Sequence, residues 1–187
     1  PRMNISLYLR NTSIYAIVRT ILQLSLASMA AFVLARYKFR GMDIIFTIIL
    51  ATVMIPDQVK LVPLFLMMKR VPLAGGNNIF GVGGTGWLDT FPGLIFPSVV
   101  SGYSIFLLRQ FFKTVPQDLE DAARLDGCSE MAIYYRIALP MIKPALIAVG
   151  LFSFQFAWGD FSWPLIITSS ERIKTLQLGL SVFATVD

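Results

Sequence analysis

The sequence predicts an all-α integral membrane protein with four full spans, and three observations predict it. Of its 187 residues, 56% are hydrophobic and 14% are charged, whereas a soluble domain carries about a quarter charged. Charge is missing from several stretches of roughly twenty residues, the length a bilayer-crossing helix needs. Finally, the sixteen Lys and Arg residues flank those stretches instead of forming one basic stripe. The net charge of +5 is therefore read as membrane orientation, and nucleic acid is excluded as a partner.

The first span is Ile14 to Ala35. Ala27, Ala31 and Ala35 recur every fourth residue, which puts small side chains on one helix face and lets a neighbouring helix approach closely. Arg19 lies near the outer end and is expected to snorkel toward water. A basic turn follows at 36–41. The second span starts near Asp43, runs from Ile44 to Ile55, and resumes from Val59 to Met68. Pro56 and Pro63 predict a kinked or broken helix there. Pro72 to Thr90 is a glycine-rich loop. The third span is Phe91 to Phe112, a polar insert covers Lys113 to Pro140, and the fourth span is Met141 to Ile167, with Pro144 in its first turn. Ser169 to Lys174 is polar, and Leu176 to Val186 begins a further apolar element.

Lys and Arg set the orientation. The turn at 36–41 holds three, the segment 109–143 holds five, and the glycine-rich loop holds none. The positive-inside rule places 36–41 and 109–143, with the insert 113–140 inside the latter, in the cytoplasm of a multi-pass chain. Lys60, Lys69 and Arg70 run against this count. The chain begins without Met and shows no signal peptide, and both ends look cut.

Chemistry within the chain is poorly provided for. There is no histidine and a single cysteine, Cys128, so the commonest general base and metal ligand are missing and no intrachain disulfide forms. Gly81 to Gly86 matches G-x-G-x-x-G, but between membrane spans it lacks the strand-turn-helix setting of a dinucleotide site. No phosphate-binding loop occurs, so the chain holds no cofactor and any ATP is handled by a partner.

The insert reads as a short helix–turn–helix. Thr114 and Gln117 fit a capping box, with Pro116 in the first turn. Asp118, Glu120 and Asp121 fall where the helix dipole favours acids. Leu119, Ala122 and Ala123 share a narrow apolar face of little bulk, open to close approach. Gly127 stops the first helix in a left-handed turn. The second helix runs from about Ser129 to Ala138, with Met131, Tyr134, Tyr135 and Ala138 on one side, and Pro140 ends it. Nothing in the chain is expected to bury that face, which leaves lipid or a protein partner.

The run Asp121-Ala122-Ala123-Arg124-Leu125-Asp126-Gly127, followed after nine residues by Ile137-Ala138-Leu139-Pro140, resembles the cytoplasmic loop of permease subunits of ATP-driven (ABC-type) importers. Asp121 stands where those loops usually carry glutamate, and Cys128 where a small alanine is common. Arg36 to Gly41, Met54-Ile55-Pro56, Phe106 to Phe112 and Trp158 to Leu165 look like the carbohydrate branch, of the maltose and multiple-sugar type. The resemblance implies an ABC importer permease (MetI-like) helical bundle over 1–187 that lacks the family's first and last spans. It implies docking of an ATPase on Glu120, Asp121, Ala122, Ala123, Gly127, Ile137, Leu139 and Pro140. It also implies a second permease subunit, two ATPase subunits and an external solute-binding protein as partners, and the inner (plasma) membrane of a prokaryote as the location.

Gln155, Trp158, Asp160, Phe161 and Trp163 mix polar groups with aromatics in the outer half of the fourth span. An intramembrane carboxylate is costly and faces a cavity or a partner, so these five are the candidates for the substrate path. An interfacial aromatic belt with a structural Asp is the alternative. Other functions stay open: the same machine for a polyamine, phosphate or amino acid, or an ion-coupled secondary transporter. The latter calls for an inverted repeat and matched buried acids, neither of which is visible. A membrane enzyme lacks candidate residues altogether.

Overall fold

The structure is a computed structural model describing residues 4–184, with side chains through residue 181. The described residues form helices joined by turns, with no strand. In order these are α1 (Ile5–Arg36), α2 (Met42–Val53), α3 (Asp57–Lys69), α4 (Phe91–Ile95) continued by a 3₁₀ turn (Phe96–Ser98), α5 (Gly102–Thr114), α6 (Gln117–Leu125) and α7 (Glu130–Ile133). A π-helical turn (Tyr134–Ala138), α8 (Leu139–Met141), α9 (Lys143–Trp158), α10 (Ser162–Ile167) and α11 (Leu176–Ala184) complete the chain. The end of the last expected apolar element, at Val186, lies outside the described residues.

By length and composition α1 is the single described helix able to cross a bilayer alone, and counting three interrupted pairs as broken spans gives up to four. The break at Pro56 falls where the prolines predicted it, between α2 and α3, while Pro63 is carried inside α3. Two expected spans are corrected. The third is interrupted between Ser98 and Gly102, where the 3₁₀ turn Phe96–Ser98, with Pro97 inside it, ends and Ser101 caps α5 by accepting the Ser104 N–H at 3.3 Å. The fourth ends as one helix at Trp158 and restarts at Ser162 across Gly159 and Asp160.

The chain clusters into two compact units. The first contains the described residues of Pro1–Ile21, Ile55–Val99 and Phe154–Asp187. Here α1 starts at Ile5, well before the expected Ile14, because its polar first turns bind the 169–176 segment. Asn11 Nδ2 donates to the Arg172 and Lys174 carbonyls at 2.9 and 3.0 Å, and the Leu176 N–H donates to Thr12 Oγ1 at 2.8 Å. Tyr8 OH donates to Glu171. Asp89 sits at φ 55, a left-handed conformation that aspartate tolerates, and accepts the Ser169 and Ser170 N–H groups at 2.8 and 2.9 Å. Burial pushes its carboxyl up, but those donors outweigh burial and hold it below the usual range.

The second unit contains Leu22–Met54 and Val100–Ser153. Its core gathers Ala27, Ala31, Phe32, Leu108, Phe112, Ile133, Tyr134 and Ala138, with Ala35 against it. The alanine stripe of α1 is thus a packing face. A Cβ at Gly102 would lie 2.8 Å from the Ile49 carbonyl oxygen, so glycine permits the close approach of α5 to α2. Gln23 Nε2 donates to Ser104 Oγ and Ser153 Oγ at 2.8 and 2.9 Å, tying α1, α5 and α9 through buried polar groups. Arg109 is buried, donates from Nε to the Leu34 carbonyl at 2.9 Å, and stacks 3.9 Å from the Phe46 ring centroid. A carbonyl in the last turn of α1 carries partial negative charge, and an aromatic face adds cation–π attraction.

Candidate functional site

The polar insert is a built element within the second unit. Val115 is extended before Pro116 (φ −71, ψ 127), as a residue before proline prefers, so α5 ends and α6 begins within two residues. The expected capping box is not formed. Thr114 stays in α5 and donates its hydroxyl to the Phe111 carbonyl at 2.8 Å, and α6 has no side-chain cap. Gly127 has φ 79, with the Gly127 N–H on the Arg124 carbonyl at 3.1 Å and the Cys128 N–H on the Ala123 carbonyl at 3.0 Å. This is a Schellman stop requiring a left-handed residue after the helix. Ser129 then caps α7 through the Ala132 N–H at 3.3 Å.

Two expectations for the second helix are corrected. Pro140 does not end it: the helix runs through the π turn to Met141, since a π turn re-registers the hydrogen bonds around the N–H that proline lacks. Nor is its apolar face unburied. Ile133, Tyr134 and Ala138 lie in the core, with the Tyr134 ring 5.2 Å from Phe32 and its hydroxyl 2.7 Å from Ser28 Oγ. Met131 and Tyr135 remain exposed.

The eight docking candidates divide by accessibility. Asp121, Ala122, Gly127 and Pro140 are exposed, Ile137 and Leu139 are half-buried, and Ala123 and Glu120 turn inward at 8% and 0% exposure. Leu119 and, at 90% exposure, Leu125 complete the outward face. Glu120 Oε1 lies 2.7 Å from Arg36 Nε, a contact that is ionic and lacks hydrogen-bond alignment. Arg36 also donates to the Val115 carbonyl at 2.8 Å. Arg124 reaches Asp121 at 2.6 Å and Glu130 at 2.8 Å, and Tyr37 OH donates to Glu130 at 2.6 Å. The Arg124 bond, then the Tyr37 bond, holds the Glu130 carboxyl below its usual range.

The five path candidates lie in the first unit around the break between α9 and α10. Asp160 Oδ2 accepts from Tyr15 OH at 2.7 Å and pairs with Arg19 at 3.5 Å, and Asp160 Oδ1 accepts the Trp163 N–H at 3.4 Å. Trp163 is buried, and its indole donates to the Gly93 and Leu94 carbonyls at 3.2 Å each. Trp158 is half-buried and stacks on Phe154 at 5.6 Å, while Gln155 and Phe161 are exposed. Arg19 does not snorkel: its Nη1 is held inside by Asp160 and by the Tyr15 hydroxyl, 2.8 Å away, while its buried Nε has no hydrogen-bond partner. Sequence reasoning missed Arg36 and Tyr15. A buried acid needs a donor, and Arg19 is the single cation in the first span, which was the available signal. No cluster of three or more metal-ligating acids or cysteines occurs among the described residues.

Residues 23–183 match the model of a family described as the binding-protein-dependent transport system inner membrane component. The chain is 36% identical over 171 residues to the arabinooligosaccharides transport system permease protein AraQ of Bacillus subtilis, covering 91% of this chain and 56% of that protein. It is 31% identical over 184 residues to the diacetylchitobiose uptake system permease protein NgcG of Streptomyces coelicolor, covering 97% and 56%. The sn-glycerol-3-phosphate transport system permease protein UgpE of Pectobacterium atrosepticum is 29% identical over 182 residues, covering 97% and 60%. The chain therefore spans just over half the length of these relatives. A crystal structure of a bacterial ABC transporter that imports the acidic polysaccharide alginate superposes with a TM-score of 0.81 at 24% identity, over 94% of this chain and 57% of that one. That similarity establishes the fold.

Proposed function

The chain belongs to the binding-protein-dependent transport system inner membrane components, and on that premise we propose that it is a permease subunit of an ATP-driven sugar importer. It pairs with a second permease chain, docks two ATPase subunits together with that chain, and receives sugar from an external binding protein. Segments 36–41 and 113–140 face the cytoplasm. ATP closure of the ATPase dimer draws the docked loops along, and the spans exchange inward-open and outward-open states. Free energy enters through differential binding to the two states.

The observation that carries this reading is the outward face of α6. Leu119, Ala122 and Leu125 are exposed on a helix stopped by Gly127, which suits a protein groove. Ala122→Glu adds bulk and charge to that face without disturbing the buried side of α6, and Gly127→Val strains the φ 79 turn. Both variants should insert in the membrane and lose ATPase co-purification or coupled uptake. Normal co-purification and uptake in both would sink the assignment.

Sugar as the solute class is supported by two relatives' names, arabinooligosaccharides and diacetylchitobiose, while a third names a polyol phosphate, sn-glycerol 3-phosphate. Calorimetry of the cognate binding protein against a pentose oligosaccharide, an N-acetylated disaccharide and a polyol phosphate decides among them. Gln155, Trp158 and Phe161 keep accessible surface and form the stronger part of the proposed path. Asp160 and Trp163 shape the break that presents them.

A further inference from the structure

Helix α6 grips its own subunit in an unusual way. Its buried side chains are Glu120 and Ala123, and alanine offers little apolar area. Its large apolar residues, Leu119 and Leu125, point outward. The strongest tie of α6 to the body is therefore the Glu120–Arg36 ion pair at 2.7 Å, with side-chain exposures of 0% and 7%. Arg36 is the last residue of α1. Its second bond, to the Val115 carbonyl, fixes the joint between α5 and α6.

We propose that Arg36 and Glu120 are positioning residues for coupling: their buried ion pair fastens the docking helix to the end of α1, so that a push on the loop reaches that helix. This rests on the docking reading above. A buried ion pair is often no more stabilising than a well-packed apolar pair, and its best-attested use is to fix registry. An apolar contact would let α6 slide, whereas two opposite charges in a dry site hold one register. The exposed tie through Arg124, Glu130 and Tyr37 braces the second helix of the loop to the same end of α1.

The test uses the assembled complex, permease pair plus ATPases, in lipid vesicles. Spin labels go on exposed Asp118→Cys and Val33→Cys in a Cys128→Ser background, and pulsed electron resonance reads their distance with and without ATP. The tie predicts one unchanged distance in both nucleotide states. A distance that shifts with ATP overturns the proposal and needs no variant of the pair. Glu120 is 0% exposed and cannot touch a docked partner itself, so Glu120→Gln should remain assembled and hydrolyse ATP, yet lower sugar uptake per ATP by about fivefold or more, the lower end of typical coupling between sites. Glu120→Asp keeps the charge for folding but withdraws the carboxylate by one methylene, and should lower the same ratio if the Gln variant fails to assemble. Wild-type uptake per ATP in either assembled variant overturns the proposal. The docking reading fails separately, if Ala122→Glu and Gly127→Val both keep normal ATPase co-purification and coupled uptake. Loss of the ATPase in Ala122→Glu with normal coupling in the Glu120 variants would leave docking standing and remove the tie.

Discussion

Asp160→Asn separates a structural acid from one in the sugar route. The carboxylate meets three donors of its own chain: Tyr15 OH at 2.7 Å, Arg19 at 3.5 Å and the Trp163 N–H at 3.4 Å. Asparagine is the same size, and its amide oxygen still accepts from Tyr15 or Trp163. What disappears is the counter-charge of Arg19, whose side chain is 15% exposed. Removing one partner of a buried pair costs about 3–5 kcal/mol. The long contact and the residual exposure of both groups lower this to about 2–3 kcal/mol, since partial solvation screens the charge left behind. Arg19→Met with Asp160→Asn removes the stranded cation, so the double variant should recover most of the loss. Thermal unfolding in lipid nanodiscs measures the cycle, and uptake per folded complex is measured beside it. The expected result is lower stability, rescue in the double variant, and unchanged uptake per folded complex. Full stability with reduced uptake, unrescued by Arg19→Met, would refute the reasoning and put Asp160 in the path.

Gln23→Leu breaks two buried hydrogen bonds, to Ser104 and Ser153, and should cost about 1–2 kcal/mol at the values typical within membranes. Adding Ser104→Ala and Ser153→Ala should return most of it, and calorimetric unfolding that shows no recovery would contradict the pairing. Cys128 is the sole thiol of this sequence and is exposed, so an impermeant maleimide should label it in inverted vesicles unless the ATPase covers it, and not in intact cells; labelling from outside would invert the orientation. Glu130 is depressed by Arg124 and then Tyr37, so its tie contributes fully above the ordinary glutamate range, about pH 4.3, and is lost as pH falls through the lower folded-state value. Titration by NMR in the assembled complex checks this, and a midpoint at or above the ordinary value would contradict the geometry.

What the sequence made legible is what period and composition carry. The four apolar stretches, the break at Pro56, the alanine stripe and the left-handed Gly127 are local properties, and each has its structural counterpart. The interruptions at Pro97 and Gly159 were less visible, because apolar residues continue on both sides and the hydropathy pattern does not change. Pro140 misled because the rule that proline ends a helix assumes α-type hydrogen bonding, which the π turn avoids. The first turns of α1 fall before the expected start at Ile14, where Asn11 and Thr12 interrupt the apolar pattern. Their partners lie more than 160 residues away in the chain, a pairing no local pattern contains.

Helix α6 shows why the site itself was only half legible. Patterning assigns apolar side chains to the interior and acids to water, and on that rule Leu119, Ala122 and Ala123 form one contact face with Glu120 outside it. The structure inverts the assignment for Glu120 and Leu125, at 0% and 90% exposure. The inversion is affordable because Arg36 waits at the end of α1 to neutralise the acid, and it frees both leucines for another surface. A helix that satisfied the ordinary pattern would bury its leucines in its own subunit and present acids outward, with no apolar face left for a partner. A charged grip inside and an apolar face outside is the arrangement expected of a docking helix, which must stay attached to one body while it binds another.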